Sequence, residues 1–120
     1  MLENARREGV FDRVDTKEGD AKQLPFEDST FDVILSNFVL HELKTAPERE
    51  NMLREMVRVM KSRGRLALVD FIFTGECMRV LHSLGIADAK RCRLRTFSFW
   101  CNAILNFGLV QTYFVIGSKG

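Results

Sequence analysis

The sequence lacks the glycine pattern of most dinucleotide-binding sheets, because none of its eight glycines stands two residues from another. A Gly-x-Gly loop holds the phosphates in those folds, so its absence disfavours a nucleotide-binding oxidoreductase half. Two histidines and three cysteines without a Cys-x-x-Cys pair predict no metal site. An odd number of cysteines and a charged N-terminal segment without an apolar signal core predict a cytoplasmic protein.

A strong charge of one sign is also missing. The 18 basic and 16 acidic residues are interspersed, so no basic field for nucleic acid is expected. Residues 97–116 contain no charged side chain but are broken by polar ones such as Asn102 and Gln111, which predicts no membrane span. A chain of 120 residues with 46% apolar content is long enough for one domain with a single core.

The first half of the chain predicts one short helix and two strands. Leu2 to Arg7 favours a helix that ends at Gly9, because glycine readily adopts the left-handed conformation after a last turn. A short strand is expected from about Val14 to Glu18. The run "FDVILS", Phe31 to Ser36, is too short for a helix and is typical of a strand covered on both faces.

The next segment, "TAPERENMLREMVRVMKSRGR", predicts a long amphipathic helix. Thr45 and Glu48 have the spacing of a capping box, and Gly64 is expected to end the helix. "RLALVDFIF", Arg65 to Phe73, then predicts a second buried strand. A strand, a helix and a strand in succession indicate a parallel pair.

The last third predicts a helix closed by Gly85 and then an antiparallel hairpin between Lys90 to Arg95 and "VQTYFVIGS". The three arginines at alternate positions of the first hairpin strand are better explained by a charged edge strand than by an anion-binding face. We therefore expect an α/β fold with a mostly parallel sheet, a C-terminal antiparallel hairpin and helices on both faces.

Polar residues follow the carboxyl ends of two predicted strands: Gly19-Asp20-Ala21 follows the first, and Ser36-Asn37-Phe38 follows the second. Ligands of open parallel sheets bind at such ends. An aspartate there can accept a hydrogen bond from an exocyclic amine while the next backbone amide donates to a ring nitrogen, which would recognise an adenine edge. Gly-Asp is also common in ordinary turns, so the tripeptide by itself fits both a turn and an adenine site.

The longer pattern is more specific. "GDAKQLPFEDSTFDVILSNFVLHEL" followed by "ERENMLREMVRVMKSRGRLALVDF" resembles class I S-adenosylmethionine-dependent methyltransferases, in particular the type 11 domain and the ubiquinone and menaquinone biosynthesis methyltransferases. The matches run in order from Gly19 to Phe71. Beyond Gly75 only the layout of helix, strand and strand is similar. The resemblance implies a partial Rossmann-like methyltransferase fold.

The same resemblance implies S-adenosylmethionine as cofactor and assigns roles to six residues. Asp20 and Ala21 would read the adenine, Leu24 and Phe26 would wall it, and Ser36 and Asn37 would lie beneath the methionine portion. His41 matches a histidine of the family's "L-H-x-L" on the substrate side. It is a weak candidate for a general base, and no catalytic residue is assigned.

The implied function is methyl transfer to a small-molecule acceptor, whose apolar character is indicated only by the uncharged run after Arg95. The family's glycine-rich cofactor loop is absent from these residues, so the sequence does not predict activity of this chain on its own. The alternative is a non-catalytic methyltransferase-like binding or assembly module. Residues 1–120 would form one domain equivalent to the C-terminal two-thirds of the family's domain.

In that family two more strands lie between those that match Val14 to Glu18 and Phe31 to Ser36. Without them, either the first strand closes up against the second or the second keeps a bare edge. A bare apolar edge favours pairing with another chain. The sequence therefore predicts a homodimer, an N-terminal complementing chain or a truncated product.

Overall fold

The computed structural model describes residues 2–93 and 113–120, with the side chain of Arg93 excepted. The described helices are α1 (Leu2–Arg7), α2 (Ala46–Val59) and α3 (Thr74–Ser83), with short 3-10 turns at Phe11–Arg13 and Leu40–Glu42. The strands are β1 (Phe31–Asn37), β2 (Met60–Asp70), β3 (Lys90–Arg93) and β4 (Tyr113–Ser118). None of the described helices is long and apolar enough to cross a bilayer.

The four strands form one mixed sheet in the order β1-β2-β4-β3. β1 and β2 are parallel, while β4 pairs antiparallel with both β2 and β3. Both the predicted strand-helix-strand unit and the predicted C-terminal hairpin are confirmed. Leu94, Arg95 and the residues from Val110 to Thr112, which were also expected in the hairpin, lie outside the described residues.

Helix α2 forms for the local reasons that its sequence predicts. Thr45 Oγ1 accepts the N–H of Glu48 at 3.3 Å, and Glu48 Oε2 accepts the N–H of Thr45 at 3.1 Å, so the capping box is complete. Its apolar stripe packs against one face of the sheet. The core there contains Met52, Leu53, Met56, Leu66, Leu68, Leu81 and Val115, all at most 4% exposed.

The predicted end of α2 at Gly64 is wrong, because the helix ends at Val59 and Gly64 lies buried within β2. The cation at the helix end comes from far along the chain: Lys119 Nζ donates to the carbonyl oxygens of Val57 at 3.0 Å and Met60 at 2.9 Å. Gly64 is needed for close packing instead. A Cβ on it would lie 2.5 Å from Cγ of Met60 and 2.7 Å from the carbonyl oxygen of Lys61.

Two further expectations about strands are wrong. Residues 14–18 form no strand, and the nearest pairing is an isolated bridge between Asp20 and Gln23. β1 is covered on one face only, since Val33 and Leu35 are 57% and 76% exposed. Within the described residues β1 pairs only with β2, so no neighbouring strand offers hydrogen bonds to residues 14–18. Of the two predicted outcomes, the bare edge is the one observed.

The two glycine helix ends are confirmed. Gly9 follows α1 with φ +67°, and Gly85 follows α3 with φ +90°. Both angles lie in the left-handed region that disfavours other residues, which explains why each helix stops there.

Candidate functional site

A small cavity lies at the carboxyl end of β1, between that strand, the loop after Asp20 and helix α2. Its volume is about 170 Å³. Pockets that enclose a drug-sized ligand typically measure about 300–1,000 Å³, so this cavity is too small to enclose such a ligand on its own. Its lining residues are Ala21, Leu24, Ile34, Leu35, Ser36, Val39, Met52 and Met56. The structure thus brings together three of the six residues predicted to bind cofactor: Ala21, Leu24 and Ser36.

Asp20 stands beside this cavity at the start of the loop, exposed to solvent. Its Oδ1 accepts the backbone N–H of Lys22 at 2.8 Å, which fixes the turn. Its Oδ2 lies 3.7 Å from Nζ of Lys22, which also donates to Glu48 at 3.3 Å. The hydrogen bond to Glu48 and the charge of Asp20 raise the pKa of Lys22. One carboxylate oxygen of Asp20 therefore holds the turn, and the other can accept a further donor.

Like Asp20, the other two predicted cofactor residues, Phe26 and Asn37, do not line the cavity. Phe26 packs edge-to-face on Phe31 with ring centroids 4.9 Å apart, and Nζ of Lys17 lies 5.0 Å from the centroid of Phe26. Asn37 is exposed as the last residue of β1. The ring of Phe26 therefore packs on Phe31, and only Leu24 of the two predicted adenine-wall residues lines the cavity.

His41 is held by the carboxylate of Asp70, at the carboxyl end of β2, and the site prediction missed this aspartate. Asp70, the last residue of β2, is 1% exposed and accepts the N–H of Phe71 at 2.8 Å. The backbone N–H and the Nδ1 of His41 both lie 3.4 Å from Oδ2 of Asp70. The His41 ring lies 4.9 Å from the ring of Phe71. The available signal was an aspartate closing the buried strand "LALVD".

Two other missed residues, Glu55 and Arg58, project from α2 and hold the loop that carries Leu24 and Phe26. No sequence signal pointed to them, because a Glu and an Arg three residues apart on a helix are an ordinary surface pair. Their contacts span more than thirty positions of the chain.

The buried cysteine near the site is no nucleophile. Cys77 is 1% exposed, and burial, with the nearby charges of Glu76 and Asp70, raises its pKa to about 12. It therefore stays a neutral thiol near pH 7. Within residues 2–93 and 113–120, no three His, Cys, Asp or Glu side chains cluster as metal ligands would.

A family model described as "Methyltransferase domain" matches residues 1–68, more than half of the chain. The chain therefore belongs to this methyltransferase family, and the predicted family is confirmed. The family uses S-adenosylmethionine, the predicted cofactor.

Curated relatives agree with this assignment. The chain is 37% identical over 92 residues to the 27-O-demethylrifamycin SV methyltransferase of Amycolatopsis mediterranei. This alignment covers 76% of the chain and 30% of the relative. It is 41% identical over 69 residues to the ubiquinone/menaquinone biosynthesis C-methyltransferase UbiE of Salmonella arizonae, covering 58% of the chain and 26% of the relative. The chain thus spans less than a third of the length of these relatives.

Solved structures confirm the α/β methyltransferase-type fold. A SAM-dependent methyltransferase from Aquifex aeolicus aligns with a TM-score of 0.62 at 18% identity, covering 98% of this chain and 61% of that one. The cyclase SpnF aligns with a TM-score of 0.68 at 19% identity, with the same coverage of both chains. At these identities the likeness concerns the fold alone.

Proposed function

We propose that this chain forms the adenine and methyl side of an S-adenosylmethionine site and takes part in methyl transfer to a small apolar acceptor. The observation that carries the proposal is the meeting of Ala21, Leu24 and Ser36 in one cavity beside the exposed Asp20 carboxylate. In this proposal Asp20 accepts the adenine amine and the amide of Ala21 donates to the ring. Leu24 and Phe26 contribute the apolar wall, and Ser36 and Asn37 lie beneath the methionine portion.

His41 is the residue best placed to handle a proton on the acceptor side. The cofactor supplies a methyl group already activated on a positively charged sulfur, so the protein has to orient the acceptor and exclude water. An acceptor hydroxyl would give its proton to Nε2 of His41, while Asp70 orients the ring through Nδ1. Nε2 now lies 3.1 Å from Glu42, whose side chain is 74% exposed and free to rotate away. The rings of Phe38 and Phe71 beside His41 suit an apolar acceptor.

Replacement of Asp20 by alanine tests the cofactor site. We expect S-adenosylhomocysteine to bind the parent chain, and Asp20→Ala to weaken that affinity about tenfold or more, because a hydrogen bond to a charged group is lost. Isothermal titration calorimetry measures both constants. Asp15→Ala is the matched control, since Asp15 is an exposed aspartate upstream of the same turn.

Two results would reject parts of the proposal. Absence of binding to the parent chain, or binding only in the millimolar range, would show that this chain does not hold the cofactor on its own. Equal affinities of the parent and the Asp20→Ala variant would remove Asp20 from the site.

We also propose that the exposed edge of β1 pairs with a second copy of the chain. Antiparallel pairing centred on Ile34 places Val33 opposite Leu35 of the other copy, and these are the exposed apolar residues of the strand. The same register places Asp32 opposite Ser36. A parallel in-register pair would instead set the two Asp32 carboxylates against each other, so the antiparallel register is favoured.

Light scattering after size-exclusion chromatography tests this pairing. The parent chain is expected to elute as a dimer, and Leu35→Lys as a monomer, because a lysine on an edge strand opposes pairing. Leu2→Lys is the control, since Leu2 is an exposed leucine of α1, far from β1 in sequence. A monomeric parent would reject the second copy as partner and leave a complementing chain as the occupant of the edge.

A further inference from the structure

A clasp formed by Glu55 and Arg58 of α2 grips the main chain of the loop on which the proposed adenine wall stands. Glu55 Oε2 accepts the backbone N–H of Leu24 at 2.8 Å. Arg58 donates to the carbonyl oxygens of Leu24 at 3.1 Å and Phe26 at 2.9 Å. Because all three bonds go to backbone atoms, the clasp fixes the path of the loop whatever side chains it carries.

The two clasp residues also hold each other. Arg58 donates to both carboxylate oxygens of Glu55, at 2.7 Å and 2.8 Å, and to Asp28 at 2.8 Å. A bidentate pair of this kind fixes direction as well as distance. The hydrogen bonds from Arg58, with that from the amide of Leu24, lower the pKa of the Glu55 carboxyl, so Glu55 stays ionised at more acidic pH than an ordinary glutamate does.

Helix α2 fixes where the clasp stands relative to the cavity. Glu48, Glu55 and Arg58 lie seven and three residues apart, so they follow one stripe of the helix. Glu48 holds Lys22 at the other end of the loop. Met52 and Met56 of the same helix line the cavity itself. One rigid helix therefore sets both the floor of the cavity and the position of the loop above it.

We infer that Glu55 and Arg58 are positioning residues for the cofactor: they hold Leu24, and the turn that starts at Asp20, at the distance that an adenine needs. This inference rests on the proposed function. It assigns the clasp an effect on cofactor affinity that is separate from the stability of the fold, because loop contacts can open without unfolding the core.

Arg58→Met tests the inference with two readouts. Hydrogen exchange of the Leu24 amide is expected to rise about tenfold or more. That amide donates to Glu55, and Glu55 is no longer held in place once the Arg58 guanidinium is removed. The affinity for S-adenosylhomocysteine is expected to fall by a similar factor. Amides of the core strand β2 should keep their protection. Arg54→Met is the matched control, since Arg54 lies on the same helix and pairs with Glu50 rather than with the loop.

Arg58→Lys separates charge from geometry. Lysine keeps the positive charge but has no planar fork to reach two carbonyl oxygens and a carboxylate together. We expect it to restore neither the exchange protection nor the affinity. A full rescue by lysine would overturn the geometric role of the clasp and leave only a general electrostatic one.

Each of the other outcomes is decisive as well. Leu24 exchange and affinity equal to those of Arg54→Met would overturn the inference, and so would an equal loss of protection at all amides, which indicates destabilisation of the whole fold. If the parent chain binds no S-adenosylhomocysteine while Leu24 exchange still rises in Arg58→Met, the proposed function fails. The positioning role then falls with it, and the clasp is a structural contact alone.

Discussion

Replacing Glu76 with alanine is expected to destabilise the protein by about 3–5 kcal/mol, because it leaves a buried guanidinium without its counter-charge. Arg49 is 6% exposed, and it meets Glu76 through Nε at 3.1 Å and Nη2 at 3.0 Å. It also donates to the carbonyl oxygen of Leu43 at 2.9 Å, and its guanidinium lies 3.6 Å from the ring centroid of Phe73. The pair ties α2 to the start of α3, and urea unfolding followed by circular dichroism measures the loss.

The neighbouring pair of Arg54 and Glu50 supplies the control. Its 2.6 Å contact is shorter, but the two side chains are 58% and 48% exposed. An exposed pair of this kind contributes about 0.3–0.5 kcal/mol, so Glu50→Ala should be nearly neutral. The double variant Arg49→Met, Glu76→Leu should recover much of the loss, because it removes both buried charges. Equal effects of Glu76→Ala and Glu50→Ala would contradict the role of burial.

Features of the fold that depend on neighbouring residues could be predicted from the sequence. The capping box of Thr45 and Glu48, the apolar stripe of α2 and the glycine ends at Gly9 and Gly85 all follow from contacts within a few positions. The parallel pair of β1 and β2 follows from the order of strand, helix and strand. Such features are decided by local chemistry and chain connectivity.

Features that depend on distant residues could not be predicted. The cation at the end of α2 is Lys119, about sixty positions away. The strand expected at Val14 to Glu18 fails because a strand forms only where a neighbour offers hydrogen bonds, and local propensity does not supply one.

In the candidate site, too, the residues of one segment could be predicted and the contacts between distant segments could not. The motif placed Asp20, Ala21, Leu24 and Ser36 at one edge of the sheet, and the structure brings the last three together in one cavity. The contacts that position the candidate site join segments about thirty positions apart. Glu55 and Arg58 hold the loop that carries Leu24, and Asp70 holds His41. Motif residues are readable because they share one segment, whereas the groups that position them come from elsewhere in the fold.

Fold and activity also have to be kept apart. The cyclase SpnF shares the fold of this chain, with a TM-score of 0.68. A shared fold therefore does not fix the reaction, which depends on the residues at the site. For this chain the family is set by the match over residues 1–68, while the roles of Asp20 and His41 depend on the binding measurements proposed above.

Truncation of Leu68 in β2 is expected to destabilise the protein by about 2–5 kcal/mol, because it removes buried methyl groups and leaves a cavity between the sheet and α2. Leu68 is 1% exposed, whereas Leu35 on the neighbouring strand β1 is 76% exposed on the opposite face. Leu35→Ala should therefore change stability by less than about 0.5 kcal/mol in the monomer. Urea unfolding of both variants measures the contrast.

Protein concentration makes the same comparison a test of the sheet edge. In a dimer formed through β1, Leu35 meets Val33 of the second copy, so Leu35→Ala should become more destabilising as concentration rises. The effect of Leu68→Ala should stay constant, because its side chain is buried within one copy. A Leu35→Ala effect that is small at every concentration would leave the edge of β1 unpaired, and a large effect at every concentration would mean that the outer face of β1 is covered within a single copy.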